Sequence, residues 1–171
     1  STKYAIPVKL VSAEGSKILT SSATKIFAID RVLYTTSLRQ YGFYLKTVFP
    51  TPYTGLQEWT MSYAIKLDYN KDNQAVLSPD FYSRVTRDGG LQMKVGETDD
   101  PKAFAKTKLQ PKKWYYIAWV YDHQHVKCYI NGVLDNEFNV PKVETFTKLN
   151  MSWGAFEGYV REIRLYNKAL T

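Results

Sequence analysis

Acid–base and nucleophilic chemistry needs side chains within hydrogen-bond reach of one another, and this sequence offers few such sets. In FEGYVREIRLYN, Glu157 and Glu162 are separated by Gly158 and an expected bulge; Asp99 and Asp100 precede Pro101 and read as a turn. His123 and His125 are the only histidines and lie two apart in a turn-forming stretch. A zinc site takes three or four ligands, and the single Cys128 supplies no thiol pair. Neither G-x-S-x-G, a P-loop nor GxGxxG occurs. Asp68-x-Asn70-x-Asp72 alternates oxygen ligands of the kind a hard cation takes. Asn73 stands where an EF-hand needs its glycine, and Pro79 where it needs its glutamate. A solvated loop is the preferred reading, so calcium stays open and no metal or cofactor is assigned. Asn150-Met151-Ser152 fits the N-glycosylation triplet, a pattern that chance produces easily.

The residues left to carry function are aromatic. Tyr53 lies in FPTPYTGL, Tyr82 in SPDFYSR and Trp153 in NMSWGAFEG, each beside polar neighbours in a stretch expected to be a loop. A flat ring with a few polar anchors suits the C–H face and hydroxyls of a small ligand such as a sugar. The same rings can equally cap an open end of the fold. A fourth candidate, Tyr116, belongs to WYYIAWVYD, residues 114–122, where five rings fall in nine residues. Alternation divides that strand. Tyr115, Ile117, Trp119 and Tyr121 are assigned inward, because a core needs bulk. Trp114, Tyr116, Ala118 and Val120 face outward, too apolar for open water, so a loop covers them or Trp114 and Tyr116 edge a binding surface.

The elements that must position these residues are strands. YAIPVKLV, KIFAIDRVLY, WTMSYAIKLD, GGLQMKVG, WYYIAWVYD, HVKCYING and YVREIRLYN are short, rich in β-branched and aromatic residues, and bounded by turn formers. Only DDPKAFAKTKLQ suggests a helix, of one turn at most. VKCYI alternates with Cys128 on the inward face, and Asn131-Gly132 supplies the positive-φ pair of a type I′ hairpin, so residues 114–138 read as an antiparallel meander. Pro7 marks its strand as an edge or an irregular one. The expectation is an all-β antiparallel β-sandwich, with residues 1–35 as two leading strands and 36–171 as the main domain.

The net charge of +7 comes from 23 basic and 16 acidic residues. The lysines are scattered, so solvated faces are preferred to a nucleic-acid groove. No 18-residue apolar run is present, so no transmembrane segment is expected. An opening of STKYAIPVKL reads as a mature or excised piece from which an export signal is gone.

From about Tyr41 onward the chain resembles the laminin-G-like, concanavalin A-like jelly-roll family. The resemblance rests on WTMSYAIKL, GGLQMKVG, KWYYIAWVYD followed by VKCYINGVL, and the closing FEGYVREIRLYNKAL. Two departures are Tyr116, where a histidine is common, and Ala64, where a tryptophan is common. The opening strands look like the last strands of an immunoglobulin-like module, which often precedes such a jelly roll in surface proteins of gut Bacteroidetes. The resemblance implies a concanavalin A-like jelly roll in a multidomain, extracellular or outer-membrane glycan-handling protein. Hydrolases of that superfamily carry a Glu-x-Asp-x-x-Glu run, which is missing here. A non-catalytic module binding a polysaccharide through Tyr53, Tyr82, Tyr116 and Trp153 is therefore the leading expectation. A protein-interaction or spacer domain is second, a glycoside hydrolase or lyase third, and an anion-polymer binder fourth.

Overall fold

The structure is a computed structural model, described for residues 4–9, 24–29, 37–41, 46–79, 82–94, 103–151 and 156–170. All regular structure among the described residues is strand: β1 (Tyr4–Lys9), β2 (Thr24–Ile29), β3 (Leu38–Tyr41), β4 (Val48–Tyr53), β5 (Glu58–Leu67), β6 (Gln74–Pro79), β7 (Tyr82–Val85), β8 (Gly90–Lys94), β9 (Phe104–Lys108), β10 (Trp114–Asp122), β11 (His125–Ile130), β12 (Val133–Asn139), β13 (Phe146–Met151) and β14 (Glu157–Tyr166). The chain divides into two units, Ser1–Thr36 and Ser37–Thr171.

In the first unit β1 and β2 pair antiparallel, Tyr4 opposite Ile29 and Lys9 opposite Thr24. Pro7 sits opposite Ile26 in this two-stranded sheet, where both strands are edges and a missing N–H is tolerated.

The second unit contains two six-stranded antiparallel sheets, ordered β12-β11-β10-β5-β14-β3 and β4-β13-β6-β7-β8-β9. Alternation puts Trp59, Met61, Tyr63, Ile65 and Leu67 of β5 fully inside, beside Ile117, Trp119 and Tyr121 of β10 and Val126 and Cys128 of β11. Leu77, Val85, Leu91, Phe146 and Phe156 complete the core. Trp59 stacks on Tyr121 at 5.1 Å between ring centroids and meets Phe146 edge-on at 5.4 Å. Its indole N–H donates to the Val143 carbonyl at 2.7 Å. The inward half of WYYIAWVYD is thus core, with Tyr115 only partly buried.

Polar contacts join the sheets. The Tyr63 hydroxyl on β5 lies 2.6 Å from Ser83 Oγ on β7, and Trp119 Nε1 donates to it at 3.1 Å. At one margin Asp135 of β12 accepts from the backbone N–H groups of Lys106 and Thr107 on β9, and Asn136 Nδ2 donates to the Phe104 carbonyl at 2.7 Å. These bonds satisfy edge groups that a strand otherwise leaves open.

The expected hairpin is present, with φ of 53° at Asn131 and 80° at Gly132. Two expectations are corrected. Phe104–Lys108, in the stretch allowed one helical turn, is β9, because pairing of Gly90 with Lys108 and Gln92 with Phe104 overrides the helix preference of Ala and Lys. Tyr53 and Tyr82 lie on strands β4 and β7 rather than in loops.

Candidate functional site

With Ile117, Trp119 and Tyr121 facing in, the outward residues of β10 lie on the open side of the first sheet. The registers of β11, β10, β5, β14 and β3 extend them into rows. One row runs Trp114, Lys66, Tyr159, Arg39; the next Tyr116, Ala64, Arg161. A third runs Tyr129, Ala118, Ser62, Arg164, and a fourth Val120, Thr60, Tyr166. In a regular strand Arg161 and Arg164, three apart, face opposite sides. A bulge between them, with φ of 55° at Glu162, puts both on the outer face.

The middle of these rows is small, with Ala64, Ala118, Thr60 and Ser62, and the rim is large. The result is a depression of about 280 Å³ whose rings are Tyr116, Tyr129 and Tyr166. The segment after β14 covers one end: Thr60 Oγ1 donates to the Lys168 carbonyl at 2.8 Å and accepts from Leu170 N–H at 3.0 Å. The Tyr116 end stays open, with that ring 37% exposed. Ser62 on the floor is 2% exposed, and among the described residues its Oγ has no hydrogen-bond partner. A buried unpaired hydroxyl costs about 1–3 kcal/mol, a penalty that a ligand hydroxyl reaching the floor would relieve. Arg164 faces the Tyr116 hydroxyl, which raises the guanidinium pKa further.

Beside the depression lies a cluster of rings and cations. Lys66 Nζ is 4.4 Å from the Tyr159 ring centroid and 5.5 Å from that of Trp114. Arg161 Cζ sits 4.3 Å from the Trp114 ring, and Arg39 Cζ 5.7 Å from Tyr159. Trp114 and Tyr159 are 6.4 Å apart.

Of the residues singled out from the sequence, Tyr116 lies on this face. Tyr53, 48% exposed, is on β4 at an edge of the other sheet, its ring edge-on to Phe49 at 5.2 Å. It lines a second depression of about 490 Å³ with Leu56, Leu149 and Leu165, which shares Tyr166 with the first. Tyr82 is on β7, three strands further into that sheet, its hydroxyl donating to Asn73 Oδ1 at 3.2 Å. Trp153 lies outside the described residues. The structure therefore does not bring Tyr53, Tyr82 and Tyr116 together. Sequence reading missed Tyr129, Tyr166, Ser62, Arg161 and Arg164. Alternation already put Tyr129 outward; the others needed cross-strand register.

Several carboxylates are held by cations. Burial works against the charge on Asp68, but hydrogen bonds from Lys112 and Arg39 keep its pKa below the usual carboxylate range. Asp72 pairs with Arg87 at 3.0 Å, so the two acids of the Asp68-x-Asn70-x-Asp72 run each face their own cations. Hydrogen bonds from Tyr69 and Lys71 lower the Glu157 pKa, and Glu162 pairs with Arg164 at 3.3 Å. Glu58, Asp122 and His123 bring ligand-type atoms within 4.8 Å at the far end of the outer face, and the Asp122 carboxylate raises the His123 pKa. Cys128 is buried, and that burial pushes its thiol pKa up.

The sequence profile of Laminin_G_3, the concanavalin A-like lectin/glucanases superfamily, matches residues 44–171. The chain belongs to this family. No curated protein sequence matches it. Among solved structures, a Bacteroides ovatus protein proposed to bind carbohydrate superposes with a TM-score of 0.64 at 17% identity, over 99% of this chain and 54% of its own. The chain thus spans about half of that protein. A heptameric pentraxin of Limulus polyphemus superposes with a TM-score of 0.57 at 15% identity, covering 75% of this chain and 71% of its own. Domain 4 of an extracellular arabinanase of Geobacillus stearothermophilus, in complex with arabinotriose, gives 0.54 at 23% identity, covering 67% and 63%. At these identities the likeness is one of fold.

Proposed function

We propose that Ser37–Thr171 is a non-catalytic carbohydrate-binding module whose site is the outer face of the first sheet. The observation that carries this is the open depression rimmed by Tyr116, Tyr129 and Tyr166 over the unpartnered Ser62 hydroxyl. Rings at the rim offer flat apolar surface to sugar C–H groups, and Ser62 and Arg164 offer polar anchors, the composition expected of a small-ligand site. Binding without turnover fits carboxylates already engaged, Glu157 by Lys71 and Glu162 by Arg164. The sugar-related proteins among the fold neighbours support the same direction.

The module belongs to a larger glycan-handling protein at the cell surface or outside the cell, and β1 and β2 are the closing strands of a preceding immunoglobulin-like domain. Among the described residues no helix is long and apolar enough to cross a membrane. Affinity electrophoresis against plant, host and microbial polysaccharides, with calcium and with EDTA, tests the proposal. Retardation by one glycan class, lost in Tyr116→Ala and Tyr129→Ala, is the expected result, and retardation by none rejects it. A protein-contact role is the second reading, favoured by Val48 and Val133, about 70% exposed on the edge strands β4 and β12.

A further inference from the structure

We infer that the sugar this face accepts is acidic, its carboxylate or sulfate held by Lys66 and Arg161 while its ring lies against Tyr116; this rests on the glycan-binding proposal above. The bulge in β14 is the first support. It puts Arg161 opposite Ala64 and Arg164 opposite Ser62, so two guanidinium groups share the face that a regular strand would give only one.

Lys66 is the second. It is the register partner of both Trp114 and Tyr159, and its Nζ makes no ion pair with a carboxylate among the described residues. Among the described residues the cations of this face, Lys66, Arg161, Arg164 and Arg39, meet two carboxylates: Glu162, 3.9 Å from Arg161 and 3.3 Å from Arg164, and Asp68, 3.3 Å from Arg39. Lys66 Nζ and Arg161 Cζ both approach the Trp114 ring, at 5.5 Å and 4.3 Å. The two charges therefore lie no more than about 10 Å apart and repel, with partial screening at physiological salt. An anion arriving between them exchanges that repulsion for two charge-assisted hydrogen bonds.

The neutral part of the ligand has its own place one row away. Tyr116 follows Trp114 by two residues on the same face, about 7 Å along the strand, and opposite it stands Ala64, too small to fill the space. Ser62, in the next row of β5, then presents its unpaired hydroxyl to a sugar oxygen. A ring on Tyr116 with its acid group toward Trp114 meets all of these at once.

Matched polysaccharides separate the charge from the sugar. Homogalacturonan is compared de-esterified and fully methyl-esterified, and a sulfated glycosaminoglycan is compared with its desulfated, carboxyl-reduced form. In 0.15 M salt the acidic member of at least one pair should bind about tenfold more tightly. The doubly substituted Lys66→Gln, Arg161→Gln protein should bind both members alike, at the affinity the native protein has for the neutral one. Lys66→Arg should keep the preference, and unchanged urea midpoints would show that these variants fold. Equal binding of both members by the native protein overturns the inference and leaves the glycan proposal standing. Binding of no polysaccharide overturns both. Equal affinity for a DNA oligonucleotide overturns it too, since charge without sugar would then suffice.

Discussion

Replacing Tyr63 by Phe removes one oxygen from the middle of the sandwich. That oxygen bonds Ser83 Oγ across the sheets at 2.6 Å and accepts from Trp119 Nε1 at 3.1 Å, with Tyr63 and Ser83 both fully buried. Two hydrogen bonds at about 1 kcal/mol each set the lower bound. A stranded Ser83 hydroxyl adds about 1–2 kcal/mol, so the expected loss is about 2–4 kcal/mol, a large share of the total of about 5–15 kcal/mol for a domain. All four tryptophans, at 59, 114, 119 and 153, fall in the second unit, so their fluorescence in urea follows that unit. The midpoint should fall by about 1–2 M with the slope unchanged. Adding Ser83→Ala should cost less than its own single effect, because the Ser83 hydroxyl that the first change strands is then gone. An unchanged midpoint for Tyr63→Phe, or strictly additive losses, would refute the role given to this inter-sheet contact.

Burial raises the pKa of Tyr63 first, against the smaller lowering effects of its bonds to Ser83 and Trp119. The folded state thus keeps this phenol neutral where the unfolded chain ionises it. Its contribution is complete below about pH 10 and is lost as pH rises beyond that, at about 1.4 kcal/mol per pH unit. Urea midpoints between pH 9 and pH 11 should show the fall, shallower by one proton in Tyr63→Phe. Cys128, its thiol pKa raised by burial, should resist thiol reagents until the unit unfolds, read as labelling that tracks the urea transition. At Gly158, φ is 156° and an added Cβ would lie 2.3 Å from the Lys66 carbonyl, so Gly158→Ala should cost about 2 kcal/mol or more and weaken glycan binding by shifting Lys66. Gly132→Ala meets nothing within 4 Å and pays only for its φ of 80°, about 1 kcal/mol in the same urea assay.

The core was legible where alternation was clean and bulky. WYYIAWVYD and VKCYI announced which of their side chains turn inward, and Asn131-Gly132 announced the hairpin. The short strands β3, β4, β6, β7, β9 and β13 were not, because LRQY and FAKTK carry few β-forming residues, the two prolines of VFPTPY break its strand signal, and all owe their conformation to pairing with neighbours. Half of the site was in view, since the outward set Trp114, Tyr116, Ala118, Val120 is two large rings followed by two small side chains. The rest depends on register across β5 and β14, which no single stretch encodes. A bulge was expected between Glu157 and Glu162, but only its observed place between Arg161 and Arg164 puts both arginines on one face. Tyr53 and Tyr82 read as loop aromatics beside Pro and Asp, and strand pairing put them on the opposite sheet from Tyr116.

Calorimetric titration of a retarding polysaccharide into Tyr116→Ala and Tyr53→Ala proteins of matched stability tests the central claim most directly. Tyr116→Ala should lose at least tenfold in affinity, about 1.4 kcal/mol, while Tyr53→Ala binds as the native protein does. Full affinity in Tyr116→Ala with the loss appearing in Tyr53→Ala would move the site to the other sheet and contradict the account.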